Sequence, residues 1–599
     1  MSPFCTSFSA SMINKAFIEE ILSEIRTRTP NKSEISRLKN KLCKKYSIKE
    51  IPTNSEILLS AEPQDIPVIR EFLLRKPTRT ISGVAIISMM TKPYGCPHGT
   101  CTYCPGGPNS VFGSVPQSYT GKEPSTLRTI RNHYDPYIIT FNRLEQYYVS
   151  GHFAEKVDVI IQGGTFNFYP KEYQEYFIKY ILKAMNDFSK AFFREGEFDI
   201  LKFKEFFELP GKLTTDRTQR IHSKILALKH SNDDISHECD NYIDEDDQLF
   251  ANHPALTFVQ TENETSKIRC VGLTIETKPD YGKLKQGNEM LMLGCTRVEI
   301  GLQSIYNEVL KYVNRGHTVK DTIESFRIMK DLGFKITAHY MPGLPLTTTE
   351  MDVYGLRQLF ENQDFRPDML KIYPCMVMKG TALYNEWING KFKPITTQIA
   401  GEIIAEFKRH VPEYCRIVRV QRDIPTYITS SGVDRTNLRQ YIDKILKDRQ
   451  IKCRCIRCRE AGIILQNKMI ELGEIKIKVN EYYASMGREF FISAEDDKND
   501  ILFGYCRLRF PSESLRDEIT ESSVLIRELH VYSPALPIGV YSKSSFQHRG
   551  IGKALMNNAE KIAHMNKMSK IVVIAGIGAR EYFRKLGYEK EGVYMVKYI

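Results

Sequence analysis

Six of the fourteen cysteines fall in two tight clusters. In MTKPYGCPHGTCTYCPGG, Cys96, Cys101 and Cys104 have C-x4-C-x2-C spacing. Three thiolates so close can face one point, and sulfur ligands suit iron–sulfur clusters or zinc. Three cysteine ligands leave one iron of a 4Fe–4S cube without a protein ligand. That iron is open to the amino and carboxyl groups of S-adenosylmethionine (SAM), whose reductive cleavage yields a 5′-deoxyadenosyl radical. A structural zinc loop with His98 as fourth ligand is the competing reading. The second cluster, KCRCIRCRE, places Cys453, Cys455 and Cys458 at C-x-C-x2-C spacing in a basic connector. Thiolates so spaced suit a small structural zinc site. Cys375, His410 and Cys415 are open candidates for a fourth ligand. An inert thiol trio or a second iron–sulfur cluster are the alternatives.

Two glycine turns carry the other signals. VDVIIQ ends in Gly163-Gly164-Thr165, and a Gly-Gly edge lets a ligand approach the backbone. In the radical SAM superfamily, which this resembles, such a turn holds the methionine amino group. Glu276 and Lys278 end the next strand in TIETKPDY, where their charges suit the SAM ribose and carboxylate; a surface role is the bland alternative. Farther on, Gln547-His548-Arg549-Gly550-Ile551-Gly552 opens a helix, and successive N–H groups at a helix N-terminus make a pyrophosphate site. Q-x-x-G-x-G between strand and helix resembles the GNAT acetyltransferases, where the turn grips coenzyme A.

These residues need elements to hold them. Residues 80–430 alternate strand-like segments (157–162, 270–276, 296–302, 335–341, 368–373 and 415–420) with helical ones such as 171–185 and 319–332. About six such units predict a parallel sheet closing into an open or partial (β/α) barrel. Residues 187–267 read as a partly helical insertion with the acidic run DNYIDEDD at 240–247. From about 474 the texture becomes an α+β unit, with strands EIKIKV, ILFGYCRLRF, SVLIRELHVY, KIVVIAG and VYMVKY and a helix over 551–564. The expected organisation is a basic helical region over 1–70, the cluster-bearing barrel over 71–430, a zinc-binding connector over 431–470 and the GNAT unit over 471–599. A capped helix is predicted from Asn31 to Tyr46.

Composition bounds the partners. The 599 residues carry 84 Lys+Arg against 72 Asp+Glu, a net +12, with 42% hydrophobic and 26% charged residues. That is globular and moderately basic, which permits a polyanion without requiring one. The first fifty residues hold ten basic against five acidic residues, and the span from Asp434 to Glu460 holds nine against four. Both suit phosphate contact. Tyr103, Tyr119 and Tyr340 are candidate base-stacking rings, with core packing as the alternative. No apolar run is long enough to span a membrane. The N-terminus reads as no secretory signal, and a cytoplasmic setting is expected.

KPTRTISGVA (76–85), CPGGPNSVFGSVPQSYTGKEP (104–124), TIETKPDY (274–281), EIGLQS (299–304), NRGHT (314–318), VQRDIP (420–425), RELHVY (527–532) and GYEKEGVYMVK (587–597) resemble the catalytic-subunit family of Elongator over about residues 70–599. The C-x4-C-x2-C spacing looks like the archaeal and bacterial forms rather than the longer eukaryotic one. The resemblance implies formation of 5-carboxymethyluridine at the tRNA wobble position: the deoxyadenosyl radical takes hydrogen from the acetyl methyl of acetyl-CoA, and thioester hydrolysis leaves the carboxymethyl group. It implies Cys96, Cys101 and Cys104 as cluster ligands. It implies Glu528, Leu529, His530, Val531, Gln547, Gly550, Ile551, Gly552, Lys553 and Ala554 as acetyl-CoA contacts. Lys156 matches a family lysine reaching acetyl-CoA from the radical SAM side. Tyr582-Phe583 stands where many members have Tyr-Tyr, so ring packing on the coenzyme is expected and a second hydroxyl role is in doubt. The anticodon stem-loop of tRNA is the expected partner, with a homodimer or other Elongator subunits left open and no membrane. A protein lysine acetyltransferase with a structural iron–sulfur domain is the rival enzyme; a tRNA-binding scaffold is the rival from the binding class.

Overall fold

The computed structural model describes residues 15–28, 30–211, 214–230, 254–466, 470–532 and 550–599. Gln547 and the acidic run at 240–247 therefore lie outside the described residues.

Four N-terminal helices, α1 (Lys15–Arg28), α2 (Lys32–Lys45), α3 (Asn54–Ser60) and α4 (Ile66–Leu73), enclose a small core of their own around Phe17, Ile21 and Ile57. The predicted capped helix is α2. The Asn31 side chain accepts from the Ser33 and Glu34 N–H groups while the Glu34 carboxylate takes the Asn31 N–H, satisfying the donors a helix start leaves open. Arg37, Lys41, Lys44 and Lys45 lie exposed on it.

Seven strands then form one sheet in chain order: β1 (Ala85–Met90), β2 (Lys156–Gln162), β3 (Arg269–Thr277), β4 (Arg297–Gln303), β5 (Lys335–Tyr340), β6 (Met369–Ile372) and β7 (Arg416–Arg419). Every neighbouring pair is parallel. The two end strands do not pair with each other, so the curled sheet is a half-barrel, as the strand–helix alternation predicts. Alternation along each strand separates two environments. On β2, Val157, Val159 and Ile161 are fully buried against the crossover helices, while Asp158 and Gln162 face the lumen. The crossover helix α5 (Lys171–Phe192) runs past the expected start of the insertion at 187. The interruption begins only at the short hairpin of Phe193–Arg194 and Glu197–Phe198 and continues through helices ending with α6 (Pro254–Thr265). Between β4 and β5 runs α7 (Val319–Asp331).

The C-terminal sheet holds β8 (Ile475–Ala484), β9 (Gly487–Asp496), β10 (Ile501–Phe510), β11 (Ser523–Val531), β12 (Lys570–Val573), β13 (Glu589–Glu591) and β14 (Tyr594–Tyr598) in the order β8-β9-β10-β11-β12-β14-β13. Its pairs are antiparallel except β11–β12. Helix α8 (Ile551–Met565) packs across β9, β10 and β11. β9 and β13 have no counterpart among the strands expected from the sequence.

This sheet docks on one end of the half-barrel. Arg527 of β11 pairs with Asp368 and donates to the Phe334 carbonyl; Glu528 meets Lys335 at 3.2 Å; His530 Nε2 lies 3.0 Å from the Ser82 carbonyl; Tyr532 Oη accepts from Arg416 at 2.9 Å. Gly578 abuts Arg269. Each barrel partner stands at, or just before, the first residue of a strand. The C-terminal unit thus covers the N-terminal ends of the barrel strands and leaves their C-terminal ends to another site.

Candidate active site

The loop after β1 carries the first cysteine trio to those C-terminal ends. Its backbone is tied down by Thr102 N–H to the Val313 carbonyl at 3.1 Å and by Leu383 N–H to the Thr102 carbonyl at 2.8 Å. Cys101 and Cys104 are buried and Cys96 is half-buried. Gln117 Nε2 donates to the Cys104 sulfur at 3.0 Å, and Arg315 Nη1 approaches the Cys101 sulfur at 3.8 Å. Burial pushes the Cys96 thiol up to about 11, with Cys104 adding to the shift and Arg315 opposing it. A metal that displaces the proton would relieve this cost.

Two observations separate a cluster from a zinc ion. Among the described residues, the trios whose ligand atoms gather within 4.8 Å of one another are Cys453–Cys455–Cys458 and Glu276–Glu299–His339. The sulfurs of Cys96, Cys101 and Cys104 are more widely spread. One zinc ion with Zn–S bonds of about 2.3 Å draws its sulfurs together, whereas a cube places each on a different corner. The second observation concerns His98. Lys278 Nζ donates to His98 Nδ1 at 3.0 Å, which leaves the ring proton on Nε2, 3.2 Å from the Cys101 sulfur. Burial, then Lys278 and Arg315, push His98 down to about 3, so the ring is neutral and donates to sulfur instead of ligating.

The Gly-Gly turn lies against this loop. Gly163 and Gly164 have φ of 131° and 113°. A Cβ on Gly163 would stand 2.3 Å from Thr91 Oγ1, and one on Gly164 would stand 3.0 Å from Gln117 Cβ and 3.8 Å from the Cys96 sulfur. The two glycines let the turn pack closely on Thr91 and Gln117, which brings its backbone beside the Cys96 loop. Cys96, Cys101, Gly164, Thr165, Glu276 and Lys278 line one solvent-open cavity, with Glu299, Gln303, Arg315 and His339 in its walls. Glu276 accepts from Gln162 Nε2 at 3.3 Å. Burial pushes Glu276 up, with Lys371 opposing and Glu299 adding to the shift. Burial also acts on Glu299, but Lys371 and His339 outweigh it and hold that carboxyl well below the usual range. Lys278 is spent on His98 and Asp280, both at 3.0 Å. Tyr103 and Tyr119 line the same cavity, while Tyr340 is fully buried in the core.

Arg315, Gln117 and Gln303 join the site without having been expected from the sequence. Gln303 ends β4 with φ 66°, and its Oε1 is buried without a partner. A polar residue closing an apolar strand at the C-terminal edge of a parallel sheet was the available signal.

At the other end of the molecule, Gly550 takes φ 84° as the first cap of α8, and Ala554 N–H closes the first turn onto its carbonyl at 2.9 Å. A Cβ on Gly552 would meet Tyr582 Oη at 2.7 Å and Val531 Cγ2 at 3.8 Å, so the turn, β11 and Tyr582 converge. The β11–β12 ladder ends at Ile526 and Val573, and β11 runs on through Glu528, Leu529 and His530 to Val531. Ile551 and Lys553 lie in the first turn of α8. Phe583 is buried between Tyr582 and Tyr588, where a hydroxyl would need a partner. Lys156, the first residue of β2, pairs in register with Arg269, the residue on which Gly578 rests. It therefore stands on the same face as the C-terminal unit, and burial lowers its pKa. Glu528 and His530 are both engaged. Glu528 is paired with Arg507 at 2.9 Å and Lys335 at 3.2 Å, and His530 is held on the Ser82 carbonyl.

In the connector, the Cys455 and Cys458 sulfurs are 3.6 Å apart and Lys408 Nζ lies 3.7 Å from Cys458. Among the open fourth-ligand candidates, Cys415 is joined to the trio by the Ile456 N–H on its carbonyl at 2.9 Å. Cys375 instead lies in the small core containing Cys101 and Cys104. The basic patch is partly consumed: Arg449, Lys452, Arg454 and Arg459 pair with carboxylates, and Arg459 is fully buried against Glu495.

A half-barrel with a three-cysteine loop at its C-terminal edge, joined to a mixed sheet with a glycine turn at a helix start, defines a radical SAM enzyme fused to a GNAT acetyltransferase unit. The chain matches the radical SAM superfamily over residues 231–354, a radical SAM C-terminal domain over 367–448 and the GNAT acetyltransferase family over 468–588. An ELP3 N-terminal domain matches 14–81. The chain is 41% identical to the tRNA uridine(34) acetyltransferase of Methanocaldococcus jannaschii over 98% of both chains. It is 38% identical to human Elongator complex protein 3 over 94% of this chain and 93% of that one. The archaeal Methanocaldococcus infernus Elp3 with its N-terminus deleted superposes with a TM-score of 0.67 at 38% identity, covering 87% of this chain and all of that one. The chain belongs to the Elp3 family. Membership implies a 4Fe–4S cluster, SAM and acetyl-CoA. Among the described residues no helix is long and apolar enough to cross a membrane.

Proposed function

We propose that this protein makes 5-carboxymethyluridine at the wobble position of tRNA, from acetyl-CoA, in the cytoplasm. The observation that carries the reading is a cysteine-lined cavity at one end of the barrel strands and a coenzyme-type turn in the unit packed on the other. When bound, the cluster and SAM supply a carbon-centred radical able to take hydrogen from an acetyl methyl. Cys96, Cys101 and Cys104 hold the cluster, and Gln117, His98 and Arg315 direct positive or N–H groups at the sulfurs, stabilising the reduced charge. Gly163, Gly164 and Thr165 cradle SAM by close backbone approach, and Glu276 and Gln303 offer polar contacts to its ribose side. Gly550, Ile551, Gly552, Lys553 and Ala554 hold the coenzyme pyrophosphate at the start of α8, with Tyr582 against the turn and Glu528 to Val531 along the acyl arm. Lys156 meets that arm from the barrel side.

The target uracil must leave its stack, and an anticodon loop makes extrusion cheap. The exposed Arg37, Lys41 and Lys44 of α2 and the remaining connector cations suit the backbone phosphates. Cys453, Cys455 and Cys458 hold a structural zinc, whose short sulfur spacing supports one ion. The rival lysine acetyltransferase needs a base near the thioester, and the engagement of Glu528 and His530 in salt bridges and a carbonyl contact speaks against it. The test is mass spectrometry of nucleosides from tRNA incubated with reconstituted protein, SAM, a reductant and acetyl-CoA. Carboxymethyluridine supports the reading. Unmodified tRNA beside an acetylated lysine peptide supports the rival.

A further inference from the structure

The two sites sit at opposite ends of the same strands, roughly 20 Å apart for the seven-residue run from Arg297 to Gln303. What fills the lumen between them is polar. At the floor, Lys335 of β5 meets Glu528 of the GNAT sheet at 3.2 Å. On the same rung, Arg297 of β4, the register partner of Lys335, pairs with Asp158 of β2 at 3.0 Å across the neighbouring β3. Above that, Glu299 binds His339 at 2.9 Å and Lys371, forming the base of the cysteine-lined cavity. Arg297 is within electrostatic reach of Glu528 below and Glu299 above. None of the Asp158, Arg297 or Lys335 side chains is sealed off completely: they keep 16%, 12% and 16% exposure at the covered end of the barrel.

A second observation lies on this rung and the next. Thr274 Oγ1, Thr337 Oγ1 and Arg297 Nε are buried without a hydrogen-bond partner. Thr274 is the register neighbour of Arg297, and Thr337 that of Glu299. Buried polar atoms without partners are rare and costly unless water or a ligand satisfies them. Three of them around one ion pair mark a stretch of lumen built to take up something polar. The Asp158–Arg297 bridge crosses that stretch, and Glu299 and His339 end the open cavity above it.

We propose that the Asp158–Arg297 pair is a gate across a polar lumen through which the acyl arm of the coenzyme, a thin amide-bearing thioester chain, reaches the cysteine-lined cavity. This rests on the reading that both sites serve one reaction. A thioester entering past the opened pair would meet the orphaned threonine hydroxyls as donors for its carbonyl and amides. Arg297 is then a positioning residue, touching the arm's path and not the reacting carbon.

The experiment follows 5′-deoxyadenosine formation by the full chain with its cluster reconstituted, with and without acetyl-CoA, and needs no tRNA. In wild-type protein acetyl-CoA should raise the yield by about five-fold or more, a typical coupling between sites. Arg297→Met keeps the length of the side chain and removes the bridge. It should abolish most of that response while iron content, basal yield and acetyl-CoA affinity stay within about two-fold of wild type, as expected for a change confined to one contact. The swap Asp158→Arg with Arg297→Asp should restore at least about half the response, because the pair and not either residue alone is the device. A wild-type-sized response in Arg297→Met overturns the gate. So does a wild-type protein that binds both ligands but shows no response, or a Met variant whose iron content, affinity and melting temperature fall together, which marks a strut. If the response and its rescue appear but tRNA stays unmodified, the gate stands and the substrate reading falls.

Discussion

Arg527 of the GNAT sheet and Asp368 at the threshold of β6 are joined by two hydrogen bonds, 2.6 and 2.9 Å, with neither side chain exposed. Glu489, Arg507, Arg509, Lys330 and Asp331 complete a charge network buried between the two units. Removing one partner of a buried pair strands the other, at about 3–5 kcal/mol. Asp368→Ala should therefore lower the melting temperature and let limited proteolysis release a fragment of about residues 470–599. An unchanged melt with no new cleavage would contradict this account of how the units are held.

The cluster assignment predicts two different outcomes at neighbouring positions. Cys101→Ala should lose iron from anaerobically reconstituted protein, which otherwise binds about four per chain. His98→Ala should keep its iron, because Nε2 donates to sulfur instead of ligating, but should shift the cluster's reduction potential by removing that hydrogen bond. Iron loss in His98→Ala on chemical analysis would make His98 a ligand and revive the zinc-loop reading.

The half-barrel was legible because its strands are apolar on one face and spaced by helices, so β2 to β7 stand near their expected positions. β9 was not. Glu489, Glu495 and Asp496 interrupt its apolar pattern, and the cations that neutralise Glu489 include Lys330, some 160 residues earlier. Charge compensation across that distance leaves no local periodicity to read. The cysteines, glycines and Glu276 announced themselves by type and spacing. Arg315 did not, because an isolated arginine in the loop after a short helix looks like surface until the fold turns its guanidinium onto the Gly301 carbonyl and Cys101. Phe583 is legible only as a large apolar residue, and the fold buries it between Tyr582 and Tyr588.

Gly163→Ala tests the SAM cradle. The added methyl would stand 2.3 Å from Thr91 Oγ1 at a φ of 131°, a conformation that costs an L-residue about 1–3 kcal/mol. SAM affinity measured by equilibrium dialysis should fall about ten-fold or more while iron content is retained, about 1.4 kcal/mol per ten-fold. Wild-type SAM affinity would remove Gly163 from the site.

The second trio should behave independently of the first. Cys455→Ala should lose about one zinc per chain, as a closed structural site requires, with the iron content unchanged. Emission spectrometry of the purified protein reads both metals at once. Full zinc in the variant, or iron lost with it, would contradict a separate structural site.

The central claim is that the cysteine-lined cavity and the coenzyme turn act in series on one tRNA uridine. Gly552→Glu would put a carboxylate beside the pyrophosphate and press on Tyr582 Oη, while Cys104→Ala removes a cluster ligand and leaves the turn intact. The most direct measurement is nucleoside mass spectrometry on tRNA treated with wild-type protein and with each variant, circular dichroism confirming that all three are folded. The account predicts carboxymethyluridine from the wild type and none from either variant. Wild-type levels of the modified uridine from Cys104→Ala would contradict it.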